Sequence, residues 1–324
     1  MMMNFTKMSL ANTMMIGVIM TICSNNWISM WMGIELSLMS FIPFIQNEMK
    51  NSSESMIKYF IIQSIASTMF LCSVIFMLVG DNMMNEMMLT MSMIIKLGVA
   101  PFHNWVLMMI NNISYWTLFS LLTIMKIPPL VVLYQINSSM IIIPMILSAV
   151  FGAISCMNQT SMKKTIGYSS IFNLGLMLTS INKFNNTIMF LVIYSTMMMM
   201  LIMIIKEMKI NWINQMVFNS FPVFLKMNLW INMLSMAGFP PLLGFSMKML
   251  IFENLVMNNQ MMLTSIILMS SMLVMMFYTR LAFSCMLNSS LFKKWLINCN
   301  KSLFFLMSMN IMITPFSMTM LSLI

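Results

Sequence analysis

The chain has 324 residues, of which 60% are hydrophobic and only 7% charged, and its formal net charge is +9. A soluble domain carries about a quarter charged residues, so a water-soluble globule is excluded. The predicted architecture is all-α and polytopic, a single integral membrane domain over 1–324.

Crossing the hydrocarbon layer takes about 20 apolar residues, and only helices or closed barrels satisfy every backbone group there. The apolar runs are continuous rather than alternating, which selects helices. In chain order, windows bounded by polar clusters predict about eleven spans, at 8–24, 27–45, 56–79, 87–110, 114–136, 139–157, 163–181, 185–205, 223–256, 258–283 and 302–322. The second span holds Glu35. Glu54 and Lys58 open the third, where they read as a solvated helix end or an ion pair across one turn. The fourth contains Lys96, Pro101 and His103, and the fifth Lys126. Asn158-Gln159 and Lys163-Lys164 form a polar loop before the seventh, read as an interfacial anchor. The ninth contains Gly238-Phe239-Pro240-Pro241 followed by Lys248. Trp27, Trp31, Trp105 and Trp116 suit an interfacial aromatic belt.

With these spans, Lys7, Lys50, Lys163, Lys164, Lys206, Lys209, Lys226, Lys293, Lys294 and Lys301 fall on the side of the N-terminus, and Lys183 alone on the other. Under the positive-inside rule the N-terminus lies in the matrix or cytoplasm and the C-terminus outside. The basic excess thus describes one membrane face, not a nucleic-acid site.

The first ten spans divide into two groups of five, 8–136 and 139–283, leaving 302–322 as an addition. Five is odd, so the second group is inverted relative to the first. Its fourth member, like that of the first group, holds proline, which removes an amide donor and clashes with the preceding turn. Interrupted helices at matching places of two halves point to an ion pathway.

Four ionisable residues lie well inside spans: Glu35, Lys96, Lys126 and Lys248. Each costs roughly 2.5–3.5 kcal/mol at mid-helix on insertion scales. A lysine that alternates between a dry setting and the side of a carboxylate changes its proton affinity, so these residues suit proton handling, with Glu35 as the switching partner. Static pairing is the alternative, but three lysines against one carboxylate leave an excess it does not explain. His103, beside Pro101, is either a proton relay or a hydrogen-bonded interfacial histidine.

The five cysteines, Cys23, Cys72, Cys156, Cys285 and Cys299, form no C-x-x-C pair, and His103 is the one histidine. This argues against a metal or iron–sulfur site; no phosphate loop or dinucleotide fingerprint occurs either. No cofactor is expected in this chain. The 54 methionines form no repeated motif, which weighs against methionine-rich metal transport. With a single arginine and no amphipathic presequence, they suggest synthesis from a small A/T-rich organellar genome.

Five blocks carry a resemblance: WMGIELSLMSFIPF (31–44), SESMIKYFIIQSIAS (53–67), KLGVAPFHNWV (96–106), NQTSMKKTIGYSSI (158–171) and MAGFPPLLGFSMK (236–248). They resemble the mitochondrial NADH dehydrogenase subunit 2 family, antiporter-like subunits in the membrane arm of respiratory complex I, in a version like that of insects or other arthropods. The resemblance runs in order through ten spans; the last matches in hydrophobicity alone. It implies the mitochondrial inner membrane, proton translocation coupled to NADH:ubiquinone oxidoreduction elsewhere, and two inverted repeats, the animal proteins resembling their bacterial relatives with three N-terminal helices missing. Implied partners are other membrane-arm subunits, both antiporter-like and small hydrophobic ones, and lipids such as cardiolipin. NADH, FMN, iron–sulfur clusters and ubiquinone are expected on other subunits or at distant sites. By motif, Glu35 matches a carboxylate that modulates a neighbouring lysine, Lys96 that lysine, Lys126 a central-axis lysine and Lys248 the lysine on the exit side. Asn173 stands where the family often has a histidine, and Ile124-Met125 where it often has Trp-Gln. A stand-alone cation/proton antiporter and a purely structural membrane-arm spacer are the rival readings.

Overall fold

The computed structural model describes residues 5–46, 50–80, 82–136, 138–218, 223–287 and 314–315. The expected span at 302–322 thus lies, but for two residues, outside the described part. Everything described is helix, turn or loop, apart from one isolated bridge between Ser161 and Trp212. The chain divides into two compact units, Met1–Ser148 and Ala149–Ile324.

The first unit begins with α1 (Phe5–Cys23), α2 (Trp27–Ile45) and α3 (Lys50–Val79). The contact between α1 and α2 is set by small residues. A Cβ on Gly17 would meet the Ser37 amide nitrogen at 2.7 Å, and one on Gly33 the Thr21 methyl at 2.6 Å. Gly17 with Thr21 and Gly33 with Ser37 are small residues four apart, the spacing that lets helices in lipid approach to backbone contact. Thr21 and Ser37 satisfy their own hydroxyls on the carbonyls of Val18 and Ile34, each at 2.7 Å, so the seam carries no unmet polar group.

Next come α4 (Asn82–Leu97) and the short α5 (Asn104–Ile110), separated by a break, and then α6 (Tyr115–Leu122) and α7 (Ile127–Ile136). Between the last two lies a 3-10 turn, Ile124–Lys126. The sequence predicts an unbroken helix over 114–136; the structure tightens it here because Pro128 and Pro129 lack the amides that would bond back to residues 124 and 125. In this unit α3 packs on α4, and α7 on α1, α2 and α4.

A second 3-10 turn, Ser139–Ile141, leads into α8 (Ile142–Met157). The second unit continues with α9 (Met162–Thr179), α10 (Phe184–Met208), α11 (Ile213–Phe218), α12 (Val223–Ala237), α13 (Leu243–Met257) and α14 (Met261–Leu287). From Thr165 to Thr179 only Tyr168 of α9 is not buried, and a helix covered all round belongs to a core. The loop before α9 is tied to the loop before α11 by Met162 N–H to Asn211 O (2.9 Å) and Ile213 N–H to Thr160 O (3.0 Å). These bonds gather Lys163, Lys164, Lys206 and Lys209 at one end of the unit.

Among the described residues seven helices are long and apolar enough to cross a membrane: Phe5–Cys23, Trp27–Ile45, Ser52–Met77, Tyr115–Ile136, Ser139–Met157, Phe184–Met208 and Met261–Met286. The other expected crossings within the described residues fall short for physical reasons. Breaks cut α4, α5, α12 and α13 below 18 residues, and α9 begins with two lysines. The chain is a multi-pass membrane protein.

Candidate functional site

In the first unit the break between α4 and α5 leaves carbonyls without their usual partners, and in lipid each must find a donor. Ile94 O accepts from the amides of Gly98 (3.1 Å) and Val99 (3.2 Å). Ile95 O accepts from the Trp105 indole at 3.1 Å, and Lys96 O from the Gln63 side chain of α3 at 3.3 Å. Gly98 turns the chain at φ +69°, where a Cβ would strike the side chains of Val106 and Trp105. Trp105 is therefore a buried plug of the break. His103 stands half-buried before α5.

The break fixes Lys96 at the end of α4. Its ammonium lies 3.9 Å from Glu35 Oε1, with the two side chains 1% and 19% exposed, and 5.9 Å from the ring centroid of Phe70. Neither Lys96 Nζ nor Glu35 Oε1 has a hydrogen-bond partner among the described residues. The separation suits Coulombic coupling and is too long for a hydrogen bond, so a shift of about an ångström makes or breaks the contact. The Phe70 ring face offers the cation a second resting place. Phe41, Tyr59 and Trp105 stack beside this pair, with centroids 5.2 and 5.8 Å apart, linking α2, α3 and the break.

Lys126 closes the 3-10 turn between α6 and α7 and is buried. In the second unit α12 ends at Ala237. Gly238 reverses the chain at φ +76°, donating to Ser235 O at 3.0 Å, and Phe239 donates to Leu234 O at 3.1 Å. Lys248, on α13, donates from Nζ to Ala237 O at 2.5 Å. A helix C-terminus favours a cation, so the end of α12 cradles this ammonium. Asn173 is buried in α9. Glu54 and Lys58 form an exposed ion pair at 2.5 Å.

Comparison with known proteins places the chain. The family model described as NADH:quinone oxidoreductase/Mrp antiporter, transmembrane, matches residues 24–274. NADH-ubiquinone oxidoreductase chain 2 of Locusta migratoria is 34% identical over 92% of this chain and 91% of its own length. The chain belongs to the NADH-ubiquinone oxidoreductase chain 2 family. The Bos taurus member is 31% identical over 93% of both chains. The fold is that of a chain in respiratory complex I from Thermus thermophilus, with a TM-score of 0.82, 16% identity and coverage of 96% of this chain and 78% of that one. A chain of the Mrp complex from Dietzia sp. matches at a TM-score of 0.76 and 12% identity, over 88% of this chain and 60% of that one.

For this member of the chain 2 family, sequence reasoning missed Gln63, Phe70 and the plugging role of Trp105. Gln63, the one amide inside the apolar stretch of α3, was a signal; Phe70 gave none. It counted Lys226 with the lysines of the basic face and gave no sign of its burial; Lys226 lies in α12 and is 2% exposed.

Proposed function

We propose that the chain translocates protons as a core membrane-arm subunit of NADH:ubiquinone oxidoreductase, respiratory complex I, in the mitochondrial inner membrane. The observation that carries this reading is that Lys96, Lys126 and Lys248 each stand at an interrupted helix: the end of α4, the 3-10 turn before α7, and the cradle at the end of α12. Where backbone is irregular at membrane depth it lines protein or water, and there a lysine can exchange a proton.

In this mechanism quinone reduction elsewhere in the complex perturbs the Glu35–Lys96 pair. When Glu35 is close, Lys96 holds its proton; when the pair opens, Lys96 passes the proton on. Lys126 and then Lys248 take up and release charge in turn, and His103 is a candidate relay at the first break. The chain does no redox chemistry; NADH, FMN, iron–sulfur clusters and ubiquinone belong to other parts of the complex.

The topology that goes with this reading has eleven spans, in two inverted five-helix repeats, 8–136 and 139–283, plus 302–322. Each repeat has a glycine at positive φ, then proline, at its broken fourth member. The N-terminus lies in the matrix and the C-terminus in the intermembrane space; the gathering of Lys163, Lys164, Lys206 and Lys209 at one end of the second unit supports a single basic face. Partners are the neighbouring antiporter-like and small hydrophobic subunits, with lipids such as cardiolipin between them.

The test is native gel electrophoresis of detergent-solubilised membranes with in-gel NADH oxidation and mass spectrometry of the active band. Co-migration with a very large NADH-oxidising assembly is expected. A small species separate from that activity, with cation-dependent proton transport when reconstituted alone in liposomes, would replace this reading with that of an independent antiporter.

A further inference from the structure

Two buried polar atoms one turn apart on α2 are left without a hydrogen bond. One is Glu35 Oε1 and the other is Trp31 Nε1; neither has a hydrogen-bond partner among the described residues. The first is an acceptor, and the second is an indole N–H that can only donate. A buried polar atom left unmet is uncommon and needs a physical reason, and here a complementary donor and acceptor are left unmet together. Residues four apart on a helix are neighbours on its surface, so the two groups share one stripe of α2.

That stripe faces the first helix break. Trp27, one turn before Trp31, packs T-shaped on Phe70 of α3, with ring centroids 6.5 Å apart and planes at 60°. Phe70 is the ring over which the Lys96 ammonium lies. Glu35, one turn after Trp31, meets the same ammonium at 3.9 Å. At 3.6 residues per turn Trp31 falls midway between Trp27 and Glu35 around the helix, about 40° from each. It stands between a residue that touches Phe70 and one that faces Lys96. Helical side chains lean toward the N-terminus, which carries Glu35 back over the turn that holds Trp31.

We propose that the Trp31 indole N–H receives the Glu35 carboxylate when the Glu35–Lys96 pair opens, so that Trp31 is a positioning residue of the switch. This rests on the reading of that pair as a switch. In the closed state the carboxylate faces Lys96 across 3.9 Å, too long for a hydrogen bond. In the open state it turns back by one helical turn and accepts from Trp31 Nε1, while the ammonium rests on the Phe70 ring. Each charge then has its own receiver, so opening the pair strands neither in a dry site. The indole keeps its proton throughout and sets how readily Lys96 is released. Without that donor the open state leaves a carboxylate oxygen unmet, and the equilibrium falls back to the closed pair.

The experiment uses the assembled enzyme reconstituted in liposomes, reading the rate of NADH-driven proton translocation alongside assembly on native gels. Trp31→Phe keeps an aromatic ring and removes the donor. It should assemble and slow translocation by about tenfold, the low end for a hydrogen bond to a charged group. Trp31→Gln gives up the ring but supplies an amide N–H one turn from position 35, and should recover part of the lost rate. Packing alone would rank these two variants the other way. In a Glu35→Gln background there is no carboxylate to receive, so Trp31→Phe should bring no further loss. Wild-type translocation by Trp31→Phe would overturn the proposal, and so would its failure to assemble. A Trp31→Gln enzyme slower than Trp31→Phe, or an equal loss from Trp31→Phe with and without the Glu35 charge, would make Trp31 a packing residue and overturn it too. Glu35→Gln alone serves as the reference. If it translocates like wild type, the parent reading of the pair fails; if it is impaired while Trp31→Phe is not, this inference alone fails.

Discussion

The Lys248 ammonium donates to the Ala237 carbonyl at 2.5 Å, so the second helix break is closed by the charge the mechanism moves. Lys96, at the first break, is arranged differently: Gln63 takes its carbonyl, and its ammonium is turned to Glu35 and Phe70. The position of Lys248 depends on Gly238, because a Cβ there would lie 2.6 Å from Lys248 Cε. Gly238→Ala combines this collision with a left-handed backbone that costs a non-glycine residue roughly 1–2 kcal/mol. Coupled turnover should fall several-fold in the assembled enzyme. Gly80→Ala is the control, since Gly80 also has positive φ but nothing within 4 Å of its virtual Cβ. Equal losses in the two variants would assign the effect to backbone strain and not to Lys248.

Lys126→Met replaces a buried cation by an apolar chain of similar length, removing a burial cost of roughly 2.5–3.5 kcal/mol on insertion scales. The fold should be kept or slightly strengthened. Coupled turnover should drop on the order of tenfold or more if a proton passes through this side chain. The measurement is NADH-driven proton uptake normalised to assembled enzyme; wild-type uptake would remove Lys126 from the path.

Glu35→Gln preserves shape and removes the charge facing Lys96 across 3.9 Å. Activity should fall while the amount of assembled complex on native gels stays near wild type. Glu35→Asp withdraws the carboxylate by one methylene and should give an intermediate activity. Complete loss of the assembled complex in Glu35→Gln would identify the pair as a static brace.

Both major breaks were legible in the sequence because Gly98 with Pro101, and Gly238 with Pro240 and Pro241, are chemically unable to continue a helix. The lysines beside them were legible for the same reason that makes them costly. The 3-10 turn at Lys126 was less so, since proline in the first turn of a helix is ordinary and its effect on the turn before depends on packing. The burial of Lys226 was not legible, because a lysine at the start of a span reads as a residue of the basic face until the packing of α12 is seen. The plugging role of Trp105 was hidden for a like reason, since only the fold brings its N–H to the Ile95 carbonyl. The α1–α2 seam escaped because threonine and serine stand in for the second glycine of each small-residue pair.

Gln63 offers the cleanest test of whether the first break is held open by design of its hydrogen bonds. Its side chain is buried and reaches from α3 to Lys96 O, a carbonyl that the break deprives of a helical donor. Gln63→Leu keeps the volume and apolarity of the site but leaves that carbonyl unmet, at a cost of about 1–3 kcal/mol. The carbonyl would be driven back toward helical bonding, drawing Lys96 away from Glu35. The assembled complex should therefore lose heat resistance, read as residual native-gel band after graded heating, and lose coupled turnover as well. Gln63→Glu, which presents an acceptor to an acceptor, should do at least as much damage. If Gln63→Leu lowers heat resistance but leaves turnover intact, the bond to Lys96 O serves stability alone, and Lys96 is positioned by Glu35 and Phe70 without it.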